Sequence, residues 1–347
     1  MRLKGKKALT AVFALLFVLL VVSGCGGGKQ AAEQGKAAQP VMWTANSVWP
    51  PDNHQTVGLQ EFANRVKQAT NGKVEITVQS GGALGYKGPE LLKVVRDGLV
   101  PVSDILTSGV AGDEPLFGVV TLPFLIQSFE EGKLLNDIAR PYFEKVLEEK
   151  WGQKLLYISP WPAAGLWSKK KVESVADMKG LKTRTYDKNG ALVIEAVGGT
   201  PYPLPFSEVY SALATGVIDS VLTSTPTAVD AKFWEVLKYY APINITMATD
   251  IVTVNLKAFN SLDKQTQEAI LKVAKEVEAE MWAKVAKLDK EKEALCNEKG
   301  IVTVQPSKEF LNQLASITKN IRDEWLKTAP PEAREIVEKF QKQVGRQ

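Results

Sequence analysis

The chain has 347 residues, 43 basic against 39 acidic, with one histidine and two cysteines. A structural zinc set needs more His and Cys than that, a serine triad would have only His54 as its base, and no Gly-x-Ser-x-Gly elbow is present. Four of the cations, Arg2, Lys4, Lys6 and Lys7, fall in residues 1–24, which hold no acid; the remainder carries 39 of each sign and shows no electrostatic footprint for nucleic acid.

An apolar run from Ala8 to Val22 follows the basic start, and Val22-Ser23-Gly24-Cys25 closes it. Basic start, apolar core and small residues before a cut site predict an export leader. The run is shorter than the ~20 apolar residues of a membrane span. Cysteine at the cut makes the expectation a lipoprotein, with the leader at 1–24 and a diacylglyceryl thioether on Cys25. Residues 25–40 are rich in Gly, Ala, Gln and Lys without an apolar period, so they predict a flexible tether. With Cys25 so used, Cys296 has no partner for an intrachain disulfide. Set in Leu295-Cys296-Asn297 with no histidine beside it, it reads as a small buried hydrophobe.

Val41 to Asn46 predicts a buried first strand that breaks at Pro50-Pro51. Asp52 or Asn53 can cap the next helix, whose face carries Leu59, Phe62, Ala63 and Val66. Asn71-Gly72 ends it, and alternation of Val74, Ile76 and Val78 with polar residues predicts a strand. Gly81-Gly82-Ala83-Leu84-Gly85 is a Gly-rich turn without the Lys-Ser or Lys-Thr that closes a phosphate loop. A helix from Pro89 to Gly98 and a strand from Val102 to Ser108 follow, the latter ending in small polar residues suited to a cleft edge. Gly132–Glu149 predicts an amphipathic helix, and Lys154–Ser159 a strand. Pro160-Trp161-Pro162-Ala163-Ala164-Gly165 breaks that strand, and a hinge is expected there.

The stretch from Met178 to Trp234 has the order strand, helix, turn, helix, strand. Arg184 lies in a short strand-like run. A helix ends at Gly198-Gly199, a Pro-rich turn spans Pro201 to Pro205, and a second helix begins at Ser207-Glu208. Val217 to Leu222 is the next strand, with a hydroxyl-rich exit at Thr223-Ser224-Thr225-Pro226. A helix through Val229, Phe233, Val236 and Leu237 comes next. Ile251–Asn255 predicts a strand returning to the first lobe. Then Ile270, Val273, Val277, Met281, Val285 and Leu288, spaced by three or four, predict a long helix. An edge strand at Ile301–Val304 and helices from Phe310 to Trp325 and after Pro330-Pro331 complete the chain. Such alternation predicts an α/β fold of two lobes with a central cleft, because ~150 residues make one comfortable core and ligands gather where strands end. Arginine there is suited to a carboxylate, since its planar fork gives two parallel hydrogen bonds.

Met178-Lys179-Gly180-Leu181-Lys182-Thr183-Arg184, Gly198-Gly199-Thr200-Pro201, Phe206-Ser207-Glu208-Val209-Tyr210 and Ala214-Thr215-Gly216-Val217-Ile218-Asp219 together resemble the solute-binding proteins of TRAP (tripartite ATP-independent periplasmic) transporters, in the dicarboxylate-binding-like, lipoprotein form. The resemblance extends more loosely from about Val41 to the C-terminus. It implies the two-lobed periplasmic-binding-protein fold, hinged, with the long helix crossing both lobes. Lobe I is expected from 41–161 and 250–288, lobe II from 162–249 and 289–345. It also implies small and large integral permease subunits as partners, a periplasmic location or one on the outer face of the cytoplasmic membrane, and no cofactor.

For the site, the resemblance places Arg184 on the solute carboxylate, Phe206 against the solute, and Thr223 where many relatives carry a polar ligand, often Asn. Ser108 falls where some relatives use a charged side chain. Asn46 and Ser47 end the first strand facing the expected cleft. Trp49 and Trp161 flank proline breaks at its mouth, whereas Trp43 and Trp167 read as core. The family's sugar-acid binders often add a basic residue after the hinge, where this chain has Trp161 to Trp167 and no arginine. The expected solute therefore has one carboxylate and an apolar or aromatic body, captured by closure of the lobes and not transformed. The rival readings are a binding protein of an ATP-driven importer, a sensor accessory, and a lipid-anchored hydrolase.

Overall fold

The computed structural model describes residues 39–346, so the leader, Cys25 and most of the tether lie outside the described residues. The chain runs through β1 (Val41–Asn46), α1 (His54–Ala69), β2 (Val74–Gln79), α2 (Leu91–Arg96), β3 (Val102–Leu106), α3 (Phe129–Glu149) and β4 (Gln153–Pro160). It then builds β5 (Gly165–Ser168), α4 (Val175–Met178), β6 (Lys182–Thr185), α5 (Lys188–Ala196), β7 (Thr200–Pro203), α6 (Phe206–Ala214), β8 (Ser220–Thr223), α7 (Thr225–Asp230) and β9 (Tyr239–Ala241). It returns through β10 (Thr249–Asn255), α8 (Leu256–Asn260) and α9 (Lys264–Glu298), and ends with β11 (Val302–Thr303), α10 (Lys308–Thr328) and α11 (Pro331–Gln343).

Two sheets result, ordered β2-β1-β3-β10-β4 and β11-β9-β5-β8-β6-β7. In the first, β1 is parallel to β2 and β3, and β10 runs antiparallel to both β3 and β4. In the second, β6 is parallel to β7 and β8, while β5 runs antiparallel to β8 and β9. Alternate side chains of each sheet enter different cores. Ile105 and Ile251 pack with Phe117, Phe143 and Phe340, whereas Val102 and Val252 pack with Phe62, Trp43 and Ile270. Leu166 and Leu222 join Ile194 and Phe310, whereas their neighbours Trp167 and Val221 join Phe233 and Tyr240. Burial on both faces explains why these strands read as nearly continuous apolar runs. Cys296 is fully buried in the last of these cores.

Local signals act as read at several points. Asn53 caps α1, its side-chain oxygen accepting from Gln55 N. Asn71 and Gly72 take the left-handed turn after that helix, at φ 52° and 76°. At 35 residues α9 is about 52 Å long at 1.5 Å per residue. Its N-terminal half packs on α1 and β4 and its later turns on α7, so it touches both lobes.

Other local readings are corrected. The stretch expected as a Pro-rich turn contains β7, an edge strand paired with β6. Thr200 N and Leu204 N donate to Leu181 O and Thr185 O, so the nitrogens of Pro201 and Pro203 face the open edge, where no donor is needed. The third strand ends at Leu106, before Ser108. The helix expected through Leu237 stops at Asp230, because Lys232 adopts φ 48°. Last, α11 does not join the second lobe: Ala333, Ile336, Val337 and Phe340 enter the core of the first, against α3.

Candidate functional site

Strand ends from both sheets meet in a cleft. From the first lobe come Trp49, in the loop after β1, Leu106 at the end of β3, Trp161 just past β4 and Ala248 just before β10. From the second come Arg184 on β6, Tyr186, Phe206 at the start of α6, and Thr223, Ser224 and Thr227 around the exit of β8. These line a small cavity, completed by Pro162 and Ala164. It opens into a wider cleft bordered by Gly81, Tyr86, Ser108 and Asp187.

Among the described residues, Arg184 is the only charged side chain lining the smaller cavity. It is 4% exposed. Its Nε donates to Leu204 O at 2.9 Å, which fixes the plane of the guanidinium, and its Cζ lies 5.9 Å from the Tyr186 ring centroid. Tyr186 is itself held by a 2.6 Å hydrogen bond between its hydroxyl and Thr246 Oγ1. No carboxylate of the described residues lies within ion-pair distance of Arg184. Burial pulls its pKa down to about 10, with Tyr186 and Asp187 opposing; it is still a cation at neutral pH. A desolvated cation whose outer nitrogens are unspent is arranged for a planar anion.

The opposite wall is aromatic. Trp49 and Trp161 meet edge to face, centroids 4.7 Å apart, and Phe206 reaches across from the second lobe to 5.6 Å from Trp49. Both indole nitrogens donate to one buried carboxylate, Trp49 to Asp250 Oδ2 at 2.9 Å and Trp161 to Asp250 Oδ1 at 2.7 Å. His54 packs edge-on against Trp161 at 4.7 Å. Its Nε2 lies 3.1 Å from Pro160 O; a carbonyl only accepts, so Nε2 carries the hydrogen. Burial lowers the His54 pKa to about 4, which keeps the ring neutral.

Contacts join the lobes around the cavity. Asn53 Nδ2 donates to Asp230 Oδ2 at 2.5 Å, Asn189 Nδ2 to Gly118 O at 3.0 Å, and Lys87 Nζ to Glu208 Oε1 at 3.0 Å. These define a closed cleft.

Of the residues expected at the site, Arg184, Phe206, Thr223, Trp49 and Trp161 gather on the smaller cavity, and Ser108 borders the wider cleft. Asn46 and Ser47 line neither: Asn46 Nδ2 donates to Ser103 Oγ at 3.2 Å, and Ser47 Oγ pairs with Thr56 Oγ1 at 2.9 Å. Asn46 ends β1 and Ser47 follows it, but both side chains are turned into the lobe. Tyr186, two residues from Arg184, and Ser224 and Thr227 also line the cavity; the only signal for them in the sequence is the hydroxyl-rich exit at Thr223-Ser224-Thr225. Among the described residues no helix is long and apolar enough to cross a membrane, and no group of His, Cys, Asp or Glu is arranged to hold a metal.

Comparison with known proteins gives a consistent picture. The family model described as bacterial extracellular solute-binding protein, family 7, matches residues 45–328. Among solved structures, DctP7 of Bordetella pertussis, an extracytoplasmic solute receptor binding pyroglutamic acid, is 31% identical with a TM-score of 0.84, covering 87% of this chain and 99% of its own. A marine metagenome TRAP solute binding protein specific for pyroglutamate is also 31% identical, with a TM-score of 0.83 over 88% of this chain and 99% of that one. An uncharacterized protein of Haemophilus influenzae is 29% identical over 278 residues, 78% of this chain and 83% of its own.

Proposed function

Since the chain belongs to the bacterial extracellular solute-binding proteins of family 7, we infer that it is the extracytoplasmic receptor of a TRAP transporter, capturing an organic acid by closure of its two lobes. The finer reading is a monocarboxylate with a small, flat, largely apolar body, of which pyroglutamate is the leading candidate. The observation that carries it is the lining of the cavity: one buried cation, Arg184, faces an aromatic wall with no second basic group. A second carboxylate on the solute would be desolvated without a partner, at a cost of several kcal/mol by the usual penalty for a buried charge, on the order of 3–5. Similarity to two pyroglutamate receptors at 31% identity supports the same class.

In the mechanism the carboxylate docks on the guanidinium while the lobes stand open. Closure brings Phe206 against Trp49 and covers the pair. Water leaves, the ion pair strengthens in the lower dielectric, and the closed form is favoured by the solute's differential affinity for it. The protein binds and releases; the reading includes no chemical step. Small and large integral permease subunits receive the solute, and Cys25 holds the protein to the membrane by lipid at the periplasmic or outer face. That location and those partners rest on the family and on the N-terminal sequence.

The test is isothermal titration of the soluble domain, starting after the tether, with pyroglutamate and with dicarboxylates of similar size. Tight binding of pyroglutamate that disappears in Arg184→Ala supports the reading. Equal binding by the wild type and Arg184→Ala rejects the site, and a preference for dicarboxylates rejects the class.

A further inference from the structure

Trp49 and Trp161 arrive from loops more than a hundred residues apart, yet their indole nitrogens close on the two oxygens of a single side chain, Asp250. Asp250 is fully buried and does not line the cavity. Among the described residues no basic nitrogen lies within ion-pair distance of it. Its neighbour is a second carboxyl. Register pairs Asp250 with Leu106 and Val252 with Asp104, so Asp104 sits diagonally beside Asp250 on the same face of the sheet. Asp104 is 1% exposed, and neither of its oxygens has a donor.

Two carboxyl groups side by side in an apolar core cannot both be ionised. One proton between them resolves the geometry. Asp104 keeps it and donates to Asp250, and Asp250 remains the anion that accepts from Asp104 and from both indoles. Both are pushed above the ordinary carboxylate range by burial and, for Asp104, by the charge of Asp250. The other titratable groups nearby are Tyr157 on β4 and Glu278 on α9, and His54 at the start of α1, which packs on Trp161. Glu278 is taken up by Arg140 and by Ile158 N, and His54 by Pro160 O. The Tyr157 hydroxyl is buried without a partner, and none of the three bonds to either aspartate.

We propose that Asp104 and Asp250, sharing one proton, are positioning residues that clamp Trp49 and Trp161 and so set the selectivity of the solute site for flat-bodied carboxylates. The proposal rests on the carboxylate reading of the cavity. A tryptophan freed from the clamp turns about its side-chain bonds, and the slot loses its fixed width. Asp250→Asn keeps the shape but presents an amide NH₂ to one of the two indole donors, so one ring is released. Asp104→Asn, by contrast, supplies a permanent N–H donor to Asp250 in place of the shared proton.

The experiment measures affinities for pyroglutamate and for butyrate, with the near-ultraviolet circular dichroism of the unliganded protein. In Asp250→Asn the preference for pyroglutamate over butyrate should narrow about tenfold, the weight of one lost hydrogen bond to a charged group, and the tryptophan dichroism should weaken. Asp104→Asn should fold, keep the wild-type spectrum and keep the preference to within about threefold. An unchanged preference and spectrum in folded Asp250→Asn overturns the proposal. Should Asp250→Asn not fold, Asp104→Asn decides, and its losing the preference would overturn the shared proton. If Asp250→Asn is silent while Arg184→Ala abolishes binding, the clamp fails and the solute site stands. If Arg184→Ala is silent, the site itself fails, and the unliganded spectrum still tests the clamp.

Discussion

Asn53 and Asp230 face each other across the cleft, the Asn53 amide donating to Asp230 Oδ2 at 2.5 Å while its oxygen accepts from Gln55 N at 2.8 Å. One side chain thus starts a helix in the first lobe and grips the second. The two jobs are separable. Asn53→Asp keeps a cap oxygen but sets a carboxylate against Asp230, whose pKa burial raises to about 6. Above about pH 6 the two repel, and below it Asp230 carries a proton to donate. We expect Asn53→Asp to bind the solute several-fold more weakly at pH 7.5 than the wild type, with the gap closing at pH 5. Asn53→Ala should lose about 1 kcal/mol of stability through the cap at either pH. Titration calorimetry and thermal melts at the two pH values separate the effects.

Arg184 is buried as a cation without an ion-pair partner among the described residues, a cost that the proposed solute carboxylate would offset. Removing one partner of a buried, hydrogen-bonded charge pair costs about 3–5 kcal/mol, so Arg184→Ala should weaken solute binding by about 10²–10⁴-fold. Arg184→Lys restores the charge without the fork, and a loss of about tenfold or more is expected. Without solute the sign reverses. Burial has lowered this residue's pKa to about 10, a sign that the charged form is penalised by folding, so Arg184→Met should melt about 2–4 °C above the wild type when both are empty. A lower melting temperature for the empty variant would show that Arg184 has a partner in the empty protein.

The pH dependence of stability follows from two opposed sets of groups. His54 is lowered to about 4 by burial. The unfolded chain takes up that proton first, so its contribution falls as pH drops from about 6.5 to 4. Asp230, Asp250 and Asp289 are each raised to about 6, mainly by burial. For these the folded form takes up the proton first, so stability rises as pH drops from about 6 to 4. Three groups outweigh one, and the melting temperature at pH 5 should exceed that at pH 7. Asp289→Asn, whose neighbour Thr225 Oγ1 donates at 2.7 Å, should flatten the slope.

Gly165 opens β5 immediately after the chain leaves the first lobe. A Cβ there would stand 2.4 Å from Tyr240 Cε2 and 2.7 Å from Ala241 O. The backbone oxygen belongs to the adjacent strand and cannot yield without breaking the pairing. Gly165→Ala should therefore cost about 2–4 kcal/mol in urea denaturation, as overpacking does. Gly72→Ala meets nothing within 4 Å and should cost only the left-handed strain, about 1 kcal/mol.

Much of this architecture is legible in local sequence. Asn53, Asn71-Gly72 and the three-and-four spacing of α9 are short-range signals, and the structure uses each as read. Arg184 stands out because it closes the run Met178-Lys179-Gly180-Leu181-Lys182-Thr183-Arg184, which carries the family resemblance, and because its planar fork suits a carboxylate. What escapes is decided by distant partners. β7 is a strand only because β6 offers it acceptors, and three-residue β9 has too few residues to show a period. The apolar stripe of α11 says that it will be buried but not by which lobe. Asn46 and Ser47 sit at the right end of the right strand, yet which way a side chain turns depends on Ser103 and Thr56. Asp250 reads as one aspartate among many until two tryptophans are seen to share it.

The position of β10 bears on how the protein comes to be folded. It fills the gap between β3 and β4, hydrogen-bonded to each, but the chain reaches it only after every strand of the second sheet except β11 has been made. A nascent or exported chain that has delivered residues up to 248 holds four strands of its first sheet with the place between β3 and β4 empty, and the two edges there stay unpaired. Such an edge invites association with other chains, so this stage is where a chaperone would be needed and where a truncated product would aggregate. By the same threading, any contiguous fragment that holds all the strands of one sheet also carries strands of the other. Unfolding should therefore be a single transition for both lobes, with the hinge marking where the native protein bends and not where it divides.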